Sequence, residues 1–136
     1  MKTRLRDLYE VRLLIEPEAA ALASVRATDE ELAEIIRLGN TAKNRIYTRE
    51  RAQTEQEFHN AIIQAAHNEF LKRLSPVIND AIQDALYAGA DIESLLPGLT
   101  LADHPIIMDF IKRRDPRGAR SAMWIHLKRV INTLNL

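Results

Sequence analysis

The stretch Glu55–Ile63, EQEFHNAII, decides the fold and raises the question of function. Glu55 and His59 stand four residues apart, which on a helix places both side chains on one face. The same face continues through Ile62 and Ala66, so it is otherwise apolar. Because a carboxylate and an imidazole are costly to bury without partners, this stripe predicts either partial exposure or a ligand that binds both groups.

Helical spacing extends along the whole chain and predicts an all-α fold. Apolar residues recur every three or four positions in nearly every segment, and we find no convincing alternating run typical of a strand. The chain of 136 residues has the length of one ordinary domain, and 46% of its residues are hydrophobic. We therefore predict one domain over residues 1–136, folded as an antiparallel bundle of about six helices.

Local sequence signals place boundaries of the first, second and fourth helices. We predict a first helix over residues 4–26 with a kink at Pro17. A capping box between Thr28 and Glu31 opens the second helix, and Asn68 is expected to cap the fourth. The apolar residues of the second helix are Leu32, Ile35, Ile36 and Ile46, and those of the fourth are Phe70, Leu71, Leu74, Ile78 and Ile82.

Proline and glycine mark the boundaries in the second half. Gly89 is expected to close the fourth helix, and the one long loop follows up to residue 102, with a turn at Pro97-Gly98. A fifth helix is predicted over residues 103–113. Asp115-Pro116 combines an N-cap with a first-turn proline and opens the last helix, which runs to about residue 134.

Composition excludes several classes of function. Nineteen Lys and Arg balance nineteen Asp and Glu, so the chain lacks the positive charge typical of a nucleic-acid binder. The absence of cysteine excludes disulfides and thiolate ligands, so any metal site must use nitrogen and oxygen donors. No apolar run approaches the ~20 residues of a membrane span, and the N-terminus has no signal-peptide pattern. We expect a soluble, cytoplasmic protein.

Three histidines are predicted to face the interior from three different helices: His59, His104 and His126. Taken singly, each is more typical of a core histidine than of a metal ligand, because a neutral imidazole needs only one or two hydrogen-bond partners. Together with Glu55 they offer three imidazoles and a carboxylate, a set suited to Zn, Ni, Mn or Fe. His67 lies at a predicted helix end and is assigned a structural role.

Five segments resemble, in order and spacing, the FadR C-terminal (FCD) domain of GntR-family transcription regulators. They are the run from Glu10 to Ala23, Glu55-x-x-Phe58-His59, Ala66-His67-Asn68, His104-Pro-Ile-Ile, and the run from Asp115 to Leu127. The resemblance implies an all-helical effector-binding domain that, in many members, holds a metal through one Asp and three His and senses a small organic acid. On this basis His59, His104 and His126 stand at the three histidine positions. Glu55 stands where the family usually has Asp.

The resemblance also implies partners. Such regulators carry a winged helix-turn-helix domain ahead of this one, and we expect that domain to be absent from this chain, so that operator DNA is bound only through it. A small carboxylate metabolite is the implied effector, a divalent Zn, Ni or Mn ion the implied cofactor, and a homodimer the implied assembly. The methylene added by Glu55 leaves carboxylate coordination feasible.

Arg12 and the enzymatic alternatives remain open at this point. Arg12 lies on the inward stripe of the first helix, where its guanidinium can contact an effector carboxylate or pair with Glu16 four residues later. A metal-dependent hydrolase on a helical bundle is a weaker hypothesis because the chain has no HExxH motif. The third hypothesis is a metal-free helical interaction module, in which the histidines only pack. We predict a sensor domain and not an enzyme.

Overall fold

Six α-helices account for most of the residues that the computed structural model describes, which are 2–43, 49–87 and 97–136, with side chains over 4–41, 53–85 and 101–136. The helices are α1 (Lys2–Arg26), α2 (Asp29–Lys43), α3 (Arg49–Ala65), α4 (Glu69–Tyr87), α5 (Pro97–Lys112) and α6 (Pro116–Thr133). No strand occurs within these ranges, so the predicted all-α class is confirmed.

The predicted caps form the expected hydrogen bonds. Thr28 Oγ1 accepts from the Glu31 amide at 3.1 Å, and Glu31 Oε1 accepts in return from the Thr28 amide at 3.0 Å. Asn68 Oδ1 accepts from the amides of residues 70 and 71 at 3.0 and 3.1 Å. Asp115 accepts from the Gly118 amide at 3.0 Å and caps α6. These caps fix where α2, α4 and α6 begin.

The start of α5 was predicted wrongly. The helix begins at Pro97, six residues before the expected start, so Pro97-Gly98 belongs to its first turn and not to a loop. Proline is well tolerated there because the first helical amides have no intrahelical acceptor and its φ already suits a helix. The expected roles of Ile46 and Gly89 lie outside the described residues.

Helix α1 lies at the centre of the bundle and contacts α3, α4, α5 and α6, most extensively α6. It runs as one continuous helix through Pro17, which is buried. Its small buried residues Ala19, Ala20 and Ala23 allow neighbouring helices to approach closely. The main hydrophobic core joins its residues to Phe58, Ile62, Ile107, Ile111, Met123 and Leu127 of the surrounding helices. The histidines predicted to face inward lie among these residues.

Helix α4 lies at the edge of the bundle, and only one side of this helix packs against other helices. It contacts α1 and α3, and Ile78 and Ile82 are buried against them. Phe70, expected on the same apolar stripe, is 75% exposed, and Leu74 is 40% exposed. The reason is geometric, since a helix with neighbours on one side buries a narrower stripe than its apolar residues span. No helix among the described residues has both the length and the apolar character needed to cross a membrane.

Candidate functional site

Three buried histidines meet in the bundle interior, as the sequence predicted. His59 comes from α3, His104 from α5 and His126 from α6, and each residue is under 5% exposed. The ring centroids are 5.3 Å apart for His59 and His104, 5.4 Å for His59 and His126, and 4.9 Å for His104 and His126. One nitrogen from each ring lies within 4.8 Å of the others. We call these three residues the histidine cluster.

Apolar packing holds the histidine cluster in place. The ring of Phe58 stacks on that of His104, with centroids 4.3 Å apart and planes inclined by 28°. Phe58 is fully buried and directly precedes His59 on α3. The same turn of α3 therefore supplies the candidate ligand His59 and the aromatic ring that packs against His104. Ile107 of α5 and Met123 and Leu127 of α6 are also fully buried. Rigid neighbours of this kind limit the positions that the imidazoles can adopt.

A buried carboxylate on α1, that of Glu16, forms a hydrogen bond with His59. Glu16 Oε1 lies 2.7 Å from Nδ1 of His59. The same carboxylate accepts from Arg12, with Nε to Oε2 at 2.5 Å and Nη2 to Oε1 at 3.3 Å. The guanidinium of Arg12 lies 4.9 Å from the ring centroid of Tyr9, which is also buried. Arg12 is therefore paired with Glu16 in the interior, next to the histidine cluster.

Burial and neighbouring charges have opposite effects on the pKa values of Glu16 and His59. Burial alone would raise the pKa of the Glu16 carboxyl, but Arg12 and His59 outweigh it and hold that pKa well below its usual range. Burial lowers the pKa of His59 to about 4 despite the favourable charge of Glu16. Burial likewise raises the pKa of the Tyr9 phenol. At neutral pH, His59 is a neutral imidazole that donates from Nδ1 to an ionised carboxylate.

A second buried carboxylate binds His126 in the same manner. Asp103 Oδ2 lies 3.0 Å from Nδ1 of His126, and its other oxygen accepts from Nη1 of Arg129. Asp103 precedes His104 on α5, and Arg129 follows His126 by three residues on α6. Two carboxylates therefore each join a histidine of the cluster to an arginine.

Glu55 lies in the same interior but is not one of the residues whose donor atoms define the histidine cluster. Its side chain is buried on α3, one turn before His59. Burial is the largest cause of the raised pKa of Tyr9, and the charge of Glu55 is near enough to add to it. Among the described side chains, the group whose donor atoms lie within 4.8 Å of one another comprises the three histidines without Glu55. Glu55 as a fourth ligand stays a prediction.

His67 lies away from the histidine cluster, as predicted for a structural residue. It is exposed, takes a left-handed backbone conformation with φ of 51°, and ends the turn after α3. Its Nε2 lies 2.7 Å from Oε1 of Glu31, the carboxylate of the α2 capping box. His67 therefore links the end of α3 to the start of α2.

Sequence reasoning missed three contacts of the candidate site. Glu16 was considered only as a partner for Arg12, although it also binds His59. The contact of Asp103 with His126 and the contact of Arg129 with Asp103 were not considered. The available signal was the placement of charged residues at helical spacing from inward-facing ones, but exposed ion pairs produce the same pattern.

The donor set of the histidine cluster fits a divalent metal ion. Neutral imidazoles suit Zn, Ni, Cu and Fe, and three of them from three helices can form part of a first coordination shell. Metal–nitrogen bonds of about 2.1 Å place ligands of one ion roughly 3–4 Å apart, so the observed separations need only small side-chain rotations. The histidine cluster can therefore hold a metal ion.

The lowered pKa of His59 predicts a pH-dependent stability of the metal-free domain. Because the folded pKa of about 4 lies below the ordinary value of 6.5, the unfolded chain binds the extra proton between these values. Stability should hold above pH 6.5 and fall by on the order of 3 kcal/mol as the pH drops to about 4. The lowered pKa of Glu16 adds a further loss below its ordinary value of 4.5. Urea unfolding at a series of pH values, with a chelator present, measures both effects.

A His59→Gln variant provides the control for this pH dependence. Glutamine can still donate a hydrogen bond to Glu16 but does not titrate, so the loss between pH 6.5 and 4.5 should largely disappear. A wild-type stability that stays constant from pH 7 to pH 4.5 would contradict the neutral, buried state of His59.

Comparisons with known proteins place this helical bundle among the regulatory domains of bacterial transcription factors. Residues 7–129 match the FCD domain. Since this match covers most of the chain, the chain belongs to the FCD domain family of GntR-type regulators.

Two curated relatives and one solved structure illustrate the relationship. The chain is 33% identical over 118 residues to the galactonate operon transcriptional repressor of Escherichia coli strain K12, which covers 85% of this chain and 51% of the repressor. It is 30% identical over 133 residues to the putative L-lactate dehydrogenase operon regulatory protein of the same strain, covering 94% of this chain and 50% of that protein. Streptococcus agalactiae GntR superposes with a TM-score of 0.81 at 26% identity, over 96% of this chain and 59% of that one.

The comparisons confirm the family and the non-enzymatic class predicted from the sequence. Both Escherichia coli relatives are named as regulators of operons and not as enzymes. The chain spans about half the length of the curated relatives it matches. The chain is therefore similar to one part of proteins that are named as operon regulators.

Proposed function

We propose that this chain is the effector-sensing domain of a GntR/FadR-type transcription regulator and binds a small organic acid at a metal ion in the bundle interior. The observation that carries the proposal is the histidine cluster, in which three buried imidazoles from α3, α5 and α6 offer nitrogens within 4.8 Å of one another. A site built from three helices is sensitive to their relative positions, which suits a sensor.

The metal ligands in this proposal are His59, His104 and His126, with Glu55 as the carboxylate. Glu55 is buried one turn before His59 on α3. The two side chains leave the same face of the helix, so both can be ligands of one ion without a bend in α3. Zn, Ni and Mn are the proposed ions, because each accepts mixed imidazole and carboxylate ligands. The bound ion supplies a positive charge and open positions that a carboxylate oxygen can take.

Arg12 is the proposed second contact for the acid. Its guanidinium is buried beside Tyr9, and Glu16 connects it to His59 at the histidine cluster. An arginine has five donors in a fixed planar arrangement, so it can keep its bonds to Glu16 through Nε and Nη2 while other donors face an anion. The acid in this proposal has one carboxylate on the metal and a second polar group near Arg12.

The names of the relatives suggest the chemical class of the acid. They refer to galactonate and to L-lactate dehydrogenase operons, and galactonate and L-lactate are both hydroxycarboxylates. We propose that a small hydroxy acid or a related di- or tricarboxylate is the effector here. The regulator is proposed to act as a homodimer and to bind operator DNA through a separate N-terminal domain.

Thermal unfolding with a panel of acids tests the proposal. Protein loaded with one equivalent of Zn, Ni or Mn is heated with galactonate, L-lactate, citrate or a neutral sugar. A cognate acid at about 100 times its Kd should stabilise the domain by about 2.7 kcal/mol, and the midpoint should rise further with concentration. The neutral sugar and the chelator-treated protein serve as controls.

The loss of a histidine should abolish this response. His104→Ala protein treated with the same metal should show no shift with an acid that stabilises the wild type. If metal-loaded wild-type protein gives neither a shift nor a heat of binding with any acid in the panel, the sensor role is wrong. A shift of equal size in chelator-treated protein would instead favour a metal-free binding module.

A further inference from the structure

Two buried carboxylates lie directly behind the histidine cluster and have no role in the proposed function so far. Glu16 of α1 and Asp103 of α5 are each at most 5% exposed. Glu16 joins Arg12 to His59, and Asp103 joins Arg129 to His126. The same order of groups, arginine, carboxylate and histidine, therefore occurs twice around one cluster, built from different helices.

Each carboxylate determines which nitrogen of its histidine carries the hydrogen. Each carboxylate is paired with an arginine and acts as an acceptor, so Nδ1 of His59 at 2.7 Å and Nδ1 of His126 at 3.0 Å donate to it. A neutral imidazole that donates from Nδ1 has its lone pair on Nε2, at the opposite edge of the ring. Both rings are therefore held in the form whose Nε2 can bind a cation.

The arginines keep the carboxylates from turning away. Glu16 accepts from Arg12 with both of its oxygens, and Asp103 uses one oxygen for His126 and the other for Arg129. A carboxylate held by donors on both oxygens cannot rotate without breaking a charge-assisted hydrogen bond. Each imidazole is thus held by a carboxylate that is itself held by an arginine.

We propose that Glu16 and Asp103 are positioning residues that fix the tautomer and ring orientation of His59 and His126 for binding one divalent metal ion. This inference rests on the proposed metal site. Acceptors of this kind behind metal-bound histidines raise ligand basicity and reduce the entropy lost on binding, and their removal lowers metal affinity by about 10- to 100-fold.

The two positions differ in how safely they can be changed. The side chain of Arg12 is 4% exposed, so Glu16→Gln leaves a buried guanidinium without its carboxylate and puts folding at risk. The side chain of Arg129 is 46% exposed, so water can solvate it after Asp103→Asn. Asparagine keeps the shape of Asp103 but has one acceptor oxygen for two donors. Asp103→Asn is therefore the primary variant.

Competition with a chromophoric chelator measures the affinity of the purified chain for Zn. Asp103→Asn should still bind one equivalent but 10- to 100-fold more weakly than the wild type, and its Co-substituted form should show a shifted visible absorption spectrum. Asp109→Asn is the matched control, because Asp109 is on the same helix and pairs with Arg113 at the surface. It should retain the wild-type affinity and spectrum.

Nitrogen-15 NMR of the metal-free wild type tests the tautomers without any substitution. At a pH where both rings are neutral, His59 and His126 should each carry their hydrogen on Nδ1 and not on Nε2, and the His126 preference should weaken in Asp103→Asn. Since this measurement needs no variant, it decides the question even if Asp103→Asn fails to fold. A hydrogen on Nε2 of either ring in the wild type would overturn the proposal.

The outcomes separate this inference from the proposed function. If the wild type binds no Zn, Ni or Mn, the metal site itself is wrong. If the wild type binds one equivalent while Asp103→Asn has the same affinity, Co spectrum and tautomer, the metal site stands and the positioning role is wrong. A loss of affinity in Asp103→Asn of the expected size, with Asp109→Asn unchanged, supports both.

Discussion

His104→Ala is expected to reduce bound metal from about one equivalent to under ~0.1 equivalents after desalting, because one of three clustered imidazoles is lost. In the wild type, free metal at about 100 times its Kd should stabilise the fold by about 2.7 kcal/mol. This increment should vanish in the variant. Elemental analysis and thermal unfolding, each with and without metal, provide the measurements.

The increment, and not the absolute stability, is the quantity to compare. His104 also stacks on Phe58, so its removal weakens the core even without metal. His67→Ala is the control, because His67 is exposed and bonded to Glu31 away from the histidine cluster. It should leave metal content unchanged. Metal affinity should also fall as the pH approaches 4, where protons begin to compete for the imidazole of His59. Full metal binding by His104→Ala would exclude the cluster as the site.

Local chemistry explains why most helix boundaries were predictable. The capping box at Thr28, the Asn68 cap and the Asp115 cap depend on side-chain bonds within three residues, so sequence alone specifies them. Pro97-Gly98 was misread because the same dipeptide favours both a turn and a first helical turn. Phe70 shows the other limit, since its exposure depends on α4 having neighbours on one side only.

The three histidines of the candidate site were predictable from the sequence, but their hydrogen-bond partners were not. Helical periodicity alone placed His59, His104 and His126 on inward faces, and the structure brings them together. The bond from Glu16 to His59 joins residues 43 apart, and that from Asp103 to His126 joins residues 23 apart. Such bonds depend on the rotation of each helix about its axis, which a hydrophobic stripe defines only roughly. This is why two carboxylates behind the cluster were missed.

Arg12→Met is expected to destabilise the metal-free domain by about 3–5 kcal/mol, because it removes the buried partner of an ionised carboxylate. Arg12 and Glu16 are 4% and 1% exposed at their side chains, so water cannot replace the lost contact. Methionine fills a similar volume, which limits the loss of packing. Arg37→Met is the matched control, since Arg37 pairs with Glu34 at the surface, where solvent screens the pair, and little change in stability is expected. Urea unfolding at pH 7 measures both.

A second substitution separates charge from packing in this prediction. Glu16→Gln in the Arg12→Met background removes the buried charge but keeps an oxygen that accepts from His59, so it should restore part of the lost stability. The pH dependence should differ as well. Without Arg12, burial raises the pKa of Glu16 in the folded state, so acid should narrow the gap between Arg12→Met and the wild type. A gap that is constant from pH 7 to pH 4.5, with no recovery in the double variant, would show that Arg12 stabilises the interior by packing alone.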